Sequence, residues 1–372
     1  MHYKRMPIEI ESPEQLPGGY SAITNNLSES SYTDTIFKNL DLNLNDLVIC
    51  YGDHVGHQGL REEIIRGEGN LSKDDVLVTA GAAAALFMIS TTFLEKGDEL
   101  VVANPNYATN IETPRAIGAE IKFLPMTFEN KYQVDLDYLE KLITPKTKLV
   151  SLTCPHNPTG TMISEGDLKE VIRMVEKNNS HLLFDETYRD MSLKSKLPMA
   201  ATLSERAISV SSLSKTYGLP GIRIGWLITK DKKLQETFLA AKEQIFICGS
   251  VVDEEIAYRY MKRKNDFFPS IKKDMEEKFS ITKKWMEKQK YLEWIEPMGG
   301  VVCFPRIKND LNVNMNKFYD FLLTEYKTYV GAGHWFEQDK RSMRIGFGWP
   351  TQNELANGLN NIERAIEASL IK

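Results

Sequence analysis

One short run of the sequence combines a lysine with groups that suit a phosphate ion. Lys215 stands between Ser214 and a glycine turn, and Arg223 follows 8 residues later. A lysine on a tight turn can lose its proton through desolvation and nearby cations, and the neutral amine can then form a Schiff base with an aldehyde. The hydroxyls of Ser212 and Ser214 and the guanidinium of Arg223 suit a phosphate dianion. This combination predicts pyridoxal 5'-phosphate as the cofactor; a surface lysine in a serine and glycine loop is the ordinary alternative.

Three polar residues upstream of this run suit the ring of the same cofactor. Asn157 follows a strand-like run, and Asp185 ends an apolar run, with Tyr188 three residues later. The cofactor needs an anion beside its pyridine nitrogen, so that the ring stays protonated, and neutral donors at its phenolic oxygen. Each residue has an ordinary explanation, because Asn-Pro forms turns and an aspartate after a strand often caps a helix. Their order and spacing ahead of Lys215 favour the cofactor site.

The lysine run, residues 211–223, resembles the lysine signature of the class I and II aminotransferases, in the aspartate-aminotransferase-like fold. The resemblance covers nearly the whole chain from Tyr51 onward. It implies that Lys215 forms an aldimine with the cofactor and then acts as the general base of catalysis. The cofactor-binding residues that it implies are Ala82, Ala83, Tyr107, Asn157, Asp185, Tyr188, Ser212, Ser214, Lys215, Arg223 and Tyr51.

Several of these residues have a more specific expected role. A strand-to-helix junction with a glycine at its turn places Ala82 and Ala83 where free N–H groups and the helix dipole attract phosphate. Tyr107 matches the aromatic residue that stacks on the cofactor ring, with a core tyrosine as the alternative. The run that begins at Tyr51 resembles an element whose tyrosine reaches the phosphate of the partner subunit's cofactor. The resemblance therefore implies a homodimer with shared active sites.

The expected substrate contacts are fewer. Arg344 matches the arginine that binds the α-carboxylate as a bidentate pair, with Arg341 and Arg306 as competitors. Asn157 is expected to contact the substrate as well. Where relatives carry a Leu-x-x-Gly element over the substrate, this chain has no glycine and places Glu29. A carboxylate there would favour a cationic side chain and reject an acidic one, unless Glu29 is a solvated loop residue.

The elements that must position these residues follow a regular pattern. From about residue 76 to residue 227, β-branched runs alternate with helical ones, which predicts a largely parallel sheet covered by helices, with ligands at the carboxyl ends of its strands. The site residues from Ala82 to Lys215 that this region contributes follow predicted strands. The predicted strands are 76–79, 99–102, 121–124, 149–152, 182–184 and 208–210, and the predicted helices are 82–94 and 165–177.

Beyond residue 230 the pattern becomes helical and then returns to short strands. The expected elements are helices to about 246, near 253–263 and around 271–288, strands at 300–304 and 343–347, and a final helix over 353–370. The predicted fold class is α/β, with a three-layer large domain around a mostly parallel sheet and a smaller α+β domain, as in PLP fold type I. Residues 41–268 would form the large domain, and residues 1–40 and 269–372 the small domain with the N-terminal segment.

Composition excludes several other classes of protein. The chain has 372 residues, 42% of them hydrophobic, and a net charge of −5, so neither nucleic acid nor an anionic membrane is an expected partner. Residues 1–11 lack the apolar core of a signal peptide, and the apolar run 82–94 is too short to span a bilayer. Four scattered cysteines fit reduced thiols in the cytoplasm. His54 and His57 have no accompanying ligand cluster, so no metal is expected.

The sequence therefore predicts a PLP-dependent aminotransferase that moves an amino group between an amino acid and a 2-oxo acid. The same residues also suit β-elimination, as in cystathionine β-lyase-like enzymes, or replacement and cyclisation, as in capreomycidine-synthase-like enzymes. Two strings, residues 212–221 and 299–306, resemble the latter subgroup, which acts on an arginine derivative. A PLP-sensing regulator would need a DNA-binding domain, which this sequence does not show. The amino-acid substrate itself stays open.

Overall fold

The structure is a computed structural model that describes residues 12–371, so the signal-peptide prediction for residues 1–11 lies outside the described residues. The strands are β1 (Asn25–Leu27), β2 (Val76–Ala80), β3 (Glu99–Asn104), β4 (Glu120–Pro125), β5 (Thr147–Thr153), β6 (His181–Asp185), β7 (Ala207–Ser212), β8 (Ile224–Ile228), β9 (Leu292–Glu293), β10 (Val302–Cys303), β11 (Arg306–Ile307), β12 (Thr328–Ala332) and β13 (Met343–Gly346). The helices are α1 (Gln58–Ile64), α2 (Gly81–Phe93), α3 (Thr109–Ile117), α4 (Leu136–Leu142), α5 (Glu165–Lys177), α6 (Ala200–Leu203), α7 (Lys232–Phe246), α8 (Val251–Lys262), α9 (Lys264–Met286), α10 (Met315–Thr324) and α11 (Gln352–Ser369).

The larger sheet has seven strands in the order β2-β8-β7-β6-β5-β3-β4. Strand β8 is antiparallel to both of its neighbours, while the other pairs in the sheet are parallel. Six strands therefore point the same way and end at one edge, which confirms the prediction of a largely parallel sheet.

Both faces of this sheet are covered, which makes three layers. Along β3, Leu100 and Val102 face one apolar cluster with residues of α2 and α7, while Val101 and Ala103 face another with residues of α5. The alternation follows from the two-residue period of a strand. Since both faces of β3 are buried, residues 100–103 read as a continuous apolar run, and such runs reveal the inner strands in the sequence.

A second, four-stranded sheet has the order β1-β12-β13-β10, and a two-stranded ladder joins β9 to β11. Strand β1 pairs in parallel with β12, so Leu27 and Val330 lie side by side although 303 positions separate them in the chain. Helices α9, α10 and α11 pack on this sheet around Phe318 and Ile362. The N-terminal residues thus join the C-terminal part of the fold, while the domain boundaries at 41–268 stay a prediction.

Two predicted elements differ from those observed. The long helix, expected to begin near residue 271, begins at Lys264 and runs through Pro269, which lies in its second turn. Proline there removes one backbone hydrogen bond, and the helix continues because its other bonds form. The strand expected over 300–304 forms only at Val302–Cys303, because Gly300 has φ 78°, outside the range of a strand.

Candidate active site

A cavity of about 360 Å³ opens at the carboxyl edge of the larger sheet. It collects almost every residue that the sequence suggested for cofactor or substrate binding. The predicted residues that line it are Glu29, Ala82, Ala83, Tyr107, Asn157, Asp185, Tyr188, Ser212, Ser214, Lys215, Arg223 and Arg344. Only Tyr51 lies outside the lining.

Lys215 follows the end of β7 and opens onto this cavity. Among residues 12–371 its Nζ has no hydrogen-bond or ion-pair partner. Burial lowers the pKa of its ammonium group first, and the cations Arg344 and Arg223 lower it further. An unpaired lysine with a depressed pKa is a suitable nucleophile for a carbonyl group.

Asp185 ends β6 and is 6% exposed. Its Oδ1 accepts hydrogen bonds from the Thr187 backbone N–H at 3.1 Å and from the Thr187 hydroxyl at 2.6 Å, while its other oxygen has no donor within the described chain. Burial raises the pKa of Asp185, because no cation of the described chain compensates its charge. A protonated pyridine nitrogen in the cavity would supply the missing positive charge.

Asn157 and Tyr188 are both buried, but they differ in whether a hydrogen-bond donor remains free. The Asn157 Oδ1 accepts from Arg344 Nη1 at 3.1 Å, which leaves its amide N–H₂ free to donate. The Tyr188 hydroxyl donates to the Ser30 carbonyl at 2.6 Å, and burial raises the pKa of Tyr188 to about 12. The phenol has one proton, so donation to a cofactor oxygen would require Tyr188 to exchange its bond with Ser30.

The N-terminus of α2 lies beside the loop after β7, and the two together present hydrogen-bond donors that suit an anion. Helix α2 has no side-chain cap at its start, so its first N–H groups are free of side-chain partners. The Arg223 guanidinium lies over Gly81, where a Cβ would come within 2.4 Å of Arg223 Nη2, and Gly81 has φ 76°. Arg223 Nη1 donates to the Pro220 carbonyl and to the Ser214 hydroxyl, and no carboxylate of the described residues pairs with it. A helix N-terminus and an unpaired guanidinium together fit the phosphate of the predicted cofactor.

Arg344 is 9% exposed and hydrogen bonds to two other residues of the cavity lining, Asn157 and Ser28. Its Nη2 donates to the Ser28 carbonyl at 2.6 Å, and its Nε has no hydrogen-bond partner. Burial lowers the pKa of this guanidinium. The competing arginines are used elsewhere, since Arg341 donates to backbone carbonyls and Arg306 pairs with two glutamates. Of the three candidates, Arg344 alone lines this cavity.

Tyr51 is 82% exposed and is not part of the lining of this chain's cavity. A residue that serves a neighbouring subunit's site would have this exposure. The nearby histidines have local roles: His54 pairs with Glu243 at 2.6 Å, and the His57 ring accepts from the Leu60 N–H at the start of α1. Neither histidine lines the cavity.

The N-terminal segment, residues 12–32, crosses the cavity and contributes residues that the sequence did not single out. Besides Ser28, the Ser30 carbonyl accepts from Tyr188, and the Tyr32 N–H donates to the Lys215 carbonyl at 2.8 Å. A Cβ on Gly346 would lie 1.8 Å from the Glu29 carbonyl oxygen, so the segment packs directly on β13. The absence of the family's glycine element therefore does not remove this segment from the site.

Other lining residues went unpredicted because no motif marks them. The unpredicted residues of the lining are Ser12, Pro13, Glu14, Ser28, Ser30, Ala108, Thr153, Thr187, Pro220, Trp335 and Phe336. Phe336 lies under the Arg344 guanidinium at 5.0 Å from the ring centre.

Comparisons with known proteins agree with this geometry. The family model "Aminotransferase class I and II" matches residues 24–362. The chain is 27% identical to capreomycidine synthase of Streptomyces vinaceus, over 87% of this chain and 82% of the relative, and 25% identical to an aspartate aminotransferase of Pyrococcus horikoshii, over 85% and 83%. A solved PLP-dependent aminotransferase from Streptococcus suis superimposes with a TM-score of 0.91 at 25% identity, over the full length of both chains.

No helix within residues 12–371 is long and apolar enough to cross a membrane.

Proposed function

The chain belongs to the class I and II aminotransferase family, and from this premise we propose that it moves an amino group between an amino acid and a 2-oxo acid. Its fold is PLP fold type I and its cofactor is pyridoxal 5'-phosphate. When bound, the cofactor supplies an electron sink for negative charge at the substrate Cα. One observation carries the proposal: Lys215, Asp185, Arg223 and Arg344 line one cavity, and none of the four forms an ion pair within residues 12–371.

Lys215 is the proposed catalytic base. Because burial and two cations lower its pKa, a larger fraction of the amine is neutral near neutral pH than for a solvent-exposed lysine. A neutral amine in this position can accept the proton from the substrate Cα and return it. The Tyr32 N–H holds the Lys215 carbonyl, and this bond restricts the loop that carries the amine.

Arg344 is proposed to bind the substrate's α-carboxylate. Its Nε is buried and has no hydrogen-bond partner among residues 12–371, and its two bonds to Asn157 and Ser28 orient the guanidinium plane. A carboxylate on Nε would complete the donor set of a buried arginine with a charge-assisted bond. This contact would also fix the position of the substrate Cα relative to Lys215.

Three parts of the cavity are proposed to bind different groups of the cofactor: its ring atoms, its ring face and its phosphate. Asp185 would hold the pyridine nitrogen, and the free amide of Asn157, with Tyr188, would serve the phenolic oxygen. Tyr107 would stack on the ring. The phosphate would lie on the start of α2, with Ala82, Ala83, Ser212, Ser214 and Arg223 as its donors.

We infer a homodimer with shared sites from the surface around Tyr51. Val48 and Ile49 are 71% and 74% exposed beside it, and Ile245 and Ile247 add further exposed apolar area. A second copy would cover these side chains and bring its own Tyr51 to the phosphate.

Mixing inactive Lys215→Ala subunits with an impaired Tyr51→Ala variant should restore activity, since one hybrid site would be intact. Subunit exchange without any recovery would contradict the shared site.

The decisive assay is a half-reaction panel. Purified holoenzyme is mixed with single amino acids, and the absorbance of the cofactor and the released products are followed. Conversion to pyridoxamine phosphate with formation of a 2-oxo acid supports the proposal. Release of pyruvate and ammonia, with the aldehyde form of the cofactor retained, would identify a β-lyase instead.

Similarity to capreomycidine synthase supports one alternative, a replacement or cyclisation reaction on the same scaffold. That reaction would consume the amino acid without producing a 2-oxo acid. Mass analysis of the product mixture from the same panel separates the two functions.

A further inference from the structure

Two carboxylates of the N-terminal segment meet at one phenol. The Tyr20 hydroxyl lies 2.8 Å from Glu14 Oε1 and 3.2 Å from Glu29 Oε1. The two carboxylate oxygens are therefore no more than about 6 Å apart, the reach of two hydrogen bonds through one oxygen atom. Since the phenol carries one proton, it can donate to only one of them at a time.

The fold brings this pair together through a local chain reversal. Glu14 lies in the 3₁₀ turn Pro13–Gln15, and Tyr20 lies in the turn Gly19–Ala22. Gly18 and Gly19 connect them with φ of 87° and 57°, a backbone conformation that glycine adopts readily. The Glu29 backbone is fixed from the other side, by its contact with Gly346 and by the bonds of Ser28 and Ser30.

No cation within residues 12–371 pairs with either carboxylate. Glu29 acts electrostatically on both Lys215 and Arg344, where it opposes the lowering of their pKa values. Two negative groups this close repel each other, and an external cation would relieve that repulsion. Within residues 12–371 the two carboxylates thus form an anionic pair in the lining of the active-site cavity without an ion-pair partner.

A second, independent feature points to a charged ligand in this cavity. Arg344, which is 9% exposed, lines the same cavity and has a buried Nε without a hydrogen-bond partner. The cavity therefore offers a cationic contact for a carboxylate and, on the N-terminal segment, an anionic contact for a cation. A free amino acid with a cationic side chain carries both complementary groups.

We propose that Glu14 and Glu29 together bind the guanidinium or ammonium group of a basic amino-acid substrate whose α-carboxylate is bound by Arg344. This inference rests on the proposed function and names its substrate class. A guanidinium has five donors in a planar fork and can bond both carboxylates at once. An acidic side chain would meet two like charges and is excluded.

Tyr20 is a positioning residue in this arrangement. Burial and the two carboxylates raise the pKa of Tyr20, so the phenol keeps its proton and remains a donor. It lies within hydrogen-bonding distance of one oxygen of each carboxylate and so holds the two groups close together. Tyr20→Phe should therefore weaken binding of a basic amino acid less than loss of either carboxylate.

The test compares arginine with citrulline, its uncharged counterpart of nearly equal shape. Calorimetry measures the dissociation constants of both for holoenzyme whose cofactor has been fixed by borohydride, so that no turnover occurs. We expect the native protein to bind arginine at least 10-fold more tightly than citrulline. Glu14→Gln and Glu29→Gln should each weaken arginine binding about 10-fold, the lower end for a lost charged hydrogen bond at a partly exposed position. The double variant should bind arginine and citrulline equally, and citrulline binding should change less than about 2-fold throughout.

Glu236→Gln is the matched control, because Glu236 is an exposed carboxylate on α7 outside the cavity lining. It should leave the arginine preference intact. Half-reaction rates with arginine, lysine, citrulline, glutamate and aspartate complete the test. A preference for glutamate or aspartate, no binding of arginine or lysine, or an arginine preference that survives in the double variant would overturn the proposal.

These outcomes are separate from failure of the proposed function. If no amino acid yields a 2-oxo acid but arginine binding still depends on Glu14 and Glu29, transamination is wrong and the cation site stands. If neutral or acidic amino acids are transaminated and arginine is ignored, the function stands and the cation site is wrong.

Discussion

The strand ends of the larger sheet and the N-terminal segment line the same cavity, but they are held in different ways. Asp185 ends β6 and Lys215 follows β7, two inner strands of a seven-stranded sheet whose two faces are covered. Glu14 and Glu29 lie on 3₁₀ turns and a short crossing stretch, and Tyr20 between them is 44% exposed. In the proposed function, the cofactor chemistry therefore rests on rigid elements, and in the proposed cation site substrate choice rests on a segment outside the larger sheet.

The largest expected effect is on the strand-end side, from Lys215→Ala. Loss of the proposed general base should lower the half-reaction rate by about 10²–10⁴-fold. Lys194→Ala, at an exposed lysine outside the cavity lining, is the control and should keep full activity. Stopped-flow spectra of both variants measure the effect. Unchanged turnover in Lys215→Ala would remove the central distinction between the two regions.

A second prediction concerns the stability of the strand-end region at acid pH. His156, 2% exposed, bonds to Thr159 and to the Pro105 carbonyl behind the strand ends, and burial lowers its pKa from 6.5 to about 4. Below pH 6.5 the unfolded chain binds a proton that the folded chain does not bind until about pH 4. The contribution of the neutral His156 to the free energy of unfolding is therefore fully present above pH 6.5. It is lost as the pH falls from 6.5 to about 4, by about 3 kcal/mol in total.

The measurement is chemical unfolding of the native protein and His156→Gln between pH 7 and about pH 4. Since other groups titrate in this range, the quantity of interest is the difference between the two proteins at each pH. That difference should shrink as the pH falls, because the variant has no imidazole to protonate. A difference independent of pH would mean that the imidazole is not kept neutral by burial.

Asp185→Asn should produce a smaller loss that is specific to catalysis. The amide keeps the acceptor for Thr187 but lacks the negative charge beside the pyridine nitrogen. Turnover should fall about 10- to 100-fold, the size of one charge-assisted hydrogen bond, while the cofactor stays bound. Cofactor occupancy is read from absorbance and turnover from the half-reaction. Retained turnover with loss of the cofactor would make Asp185 a purely structural residue.

The smallest effect belongs to the N-terminal segment. Glu14→Gln should change the free energy of unfolding by no more than about 0.5 kcal/mol, because Glu14 is exposed and forms no ion pair among the described residues. Thermal unfolding of native protein and variant checks this. A large destabilisation would show that Glu14 supports the fold, and the two regions would then not differ in the way described above.

The same contrast explains what the sequence could and could not reveal. The six strands predicted between residues 76 and 210 are all present, each extended by one to three residues, because apolar runs in a doubly covered sheet leave a strong pattern. Residues directly after those strands were predictable, since parallel strands end at one edge. The lysine signature added the identity of the chemistry.

The N-terminal segment left no such pattern. Strand β1 has three residues, Asn25-Asn26-Leu27, and its partner β12 lies about 300 residues away, so neither length nor periodicity marked it. Glu14 reaches the cavity through a reversal at Gly18 and Gly19 that depends on tertiary contacts. Glu29 was predicted only from the place of a missing family element, and its partner Glu14 was not predicted at all.

Borohydride reduction followed by peptide mass mapping shows directly whether Lys215 binds the cofactor. The reduced holoenzyme should carry one phosphopyridoxyl group per chain, on the peptide that contains Lys215, and the Lys215→Ala variant should carry none. A label on another lysine, or no label on a yellow native protein, would contradict the account.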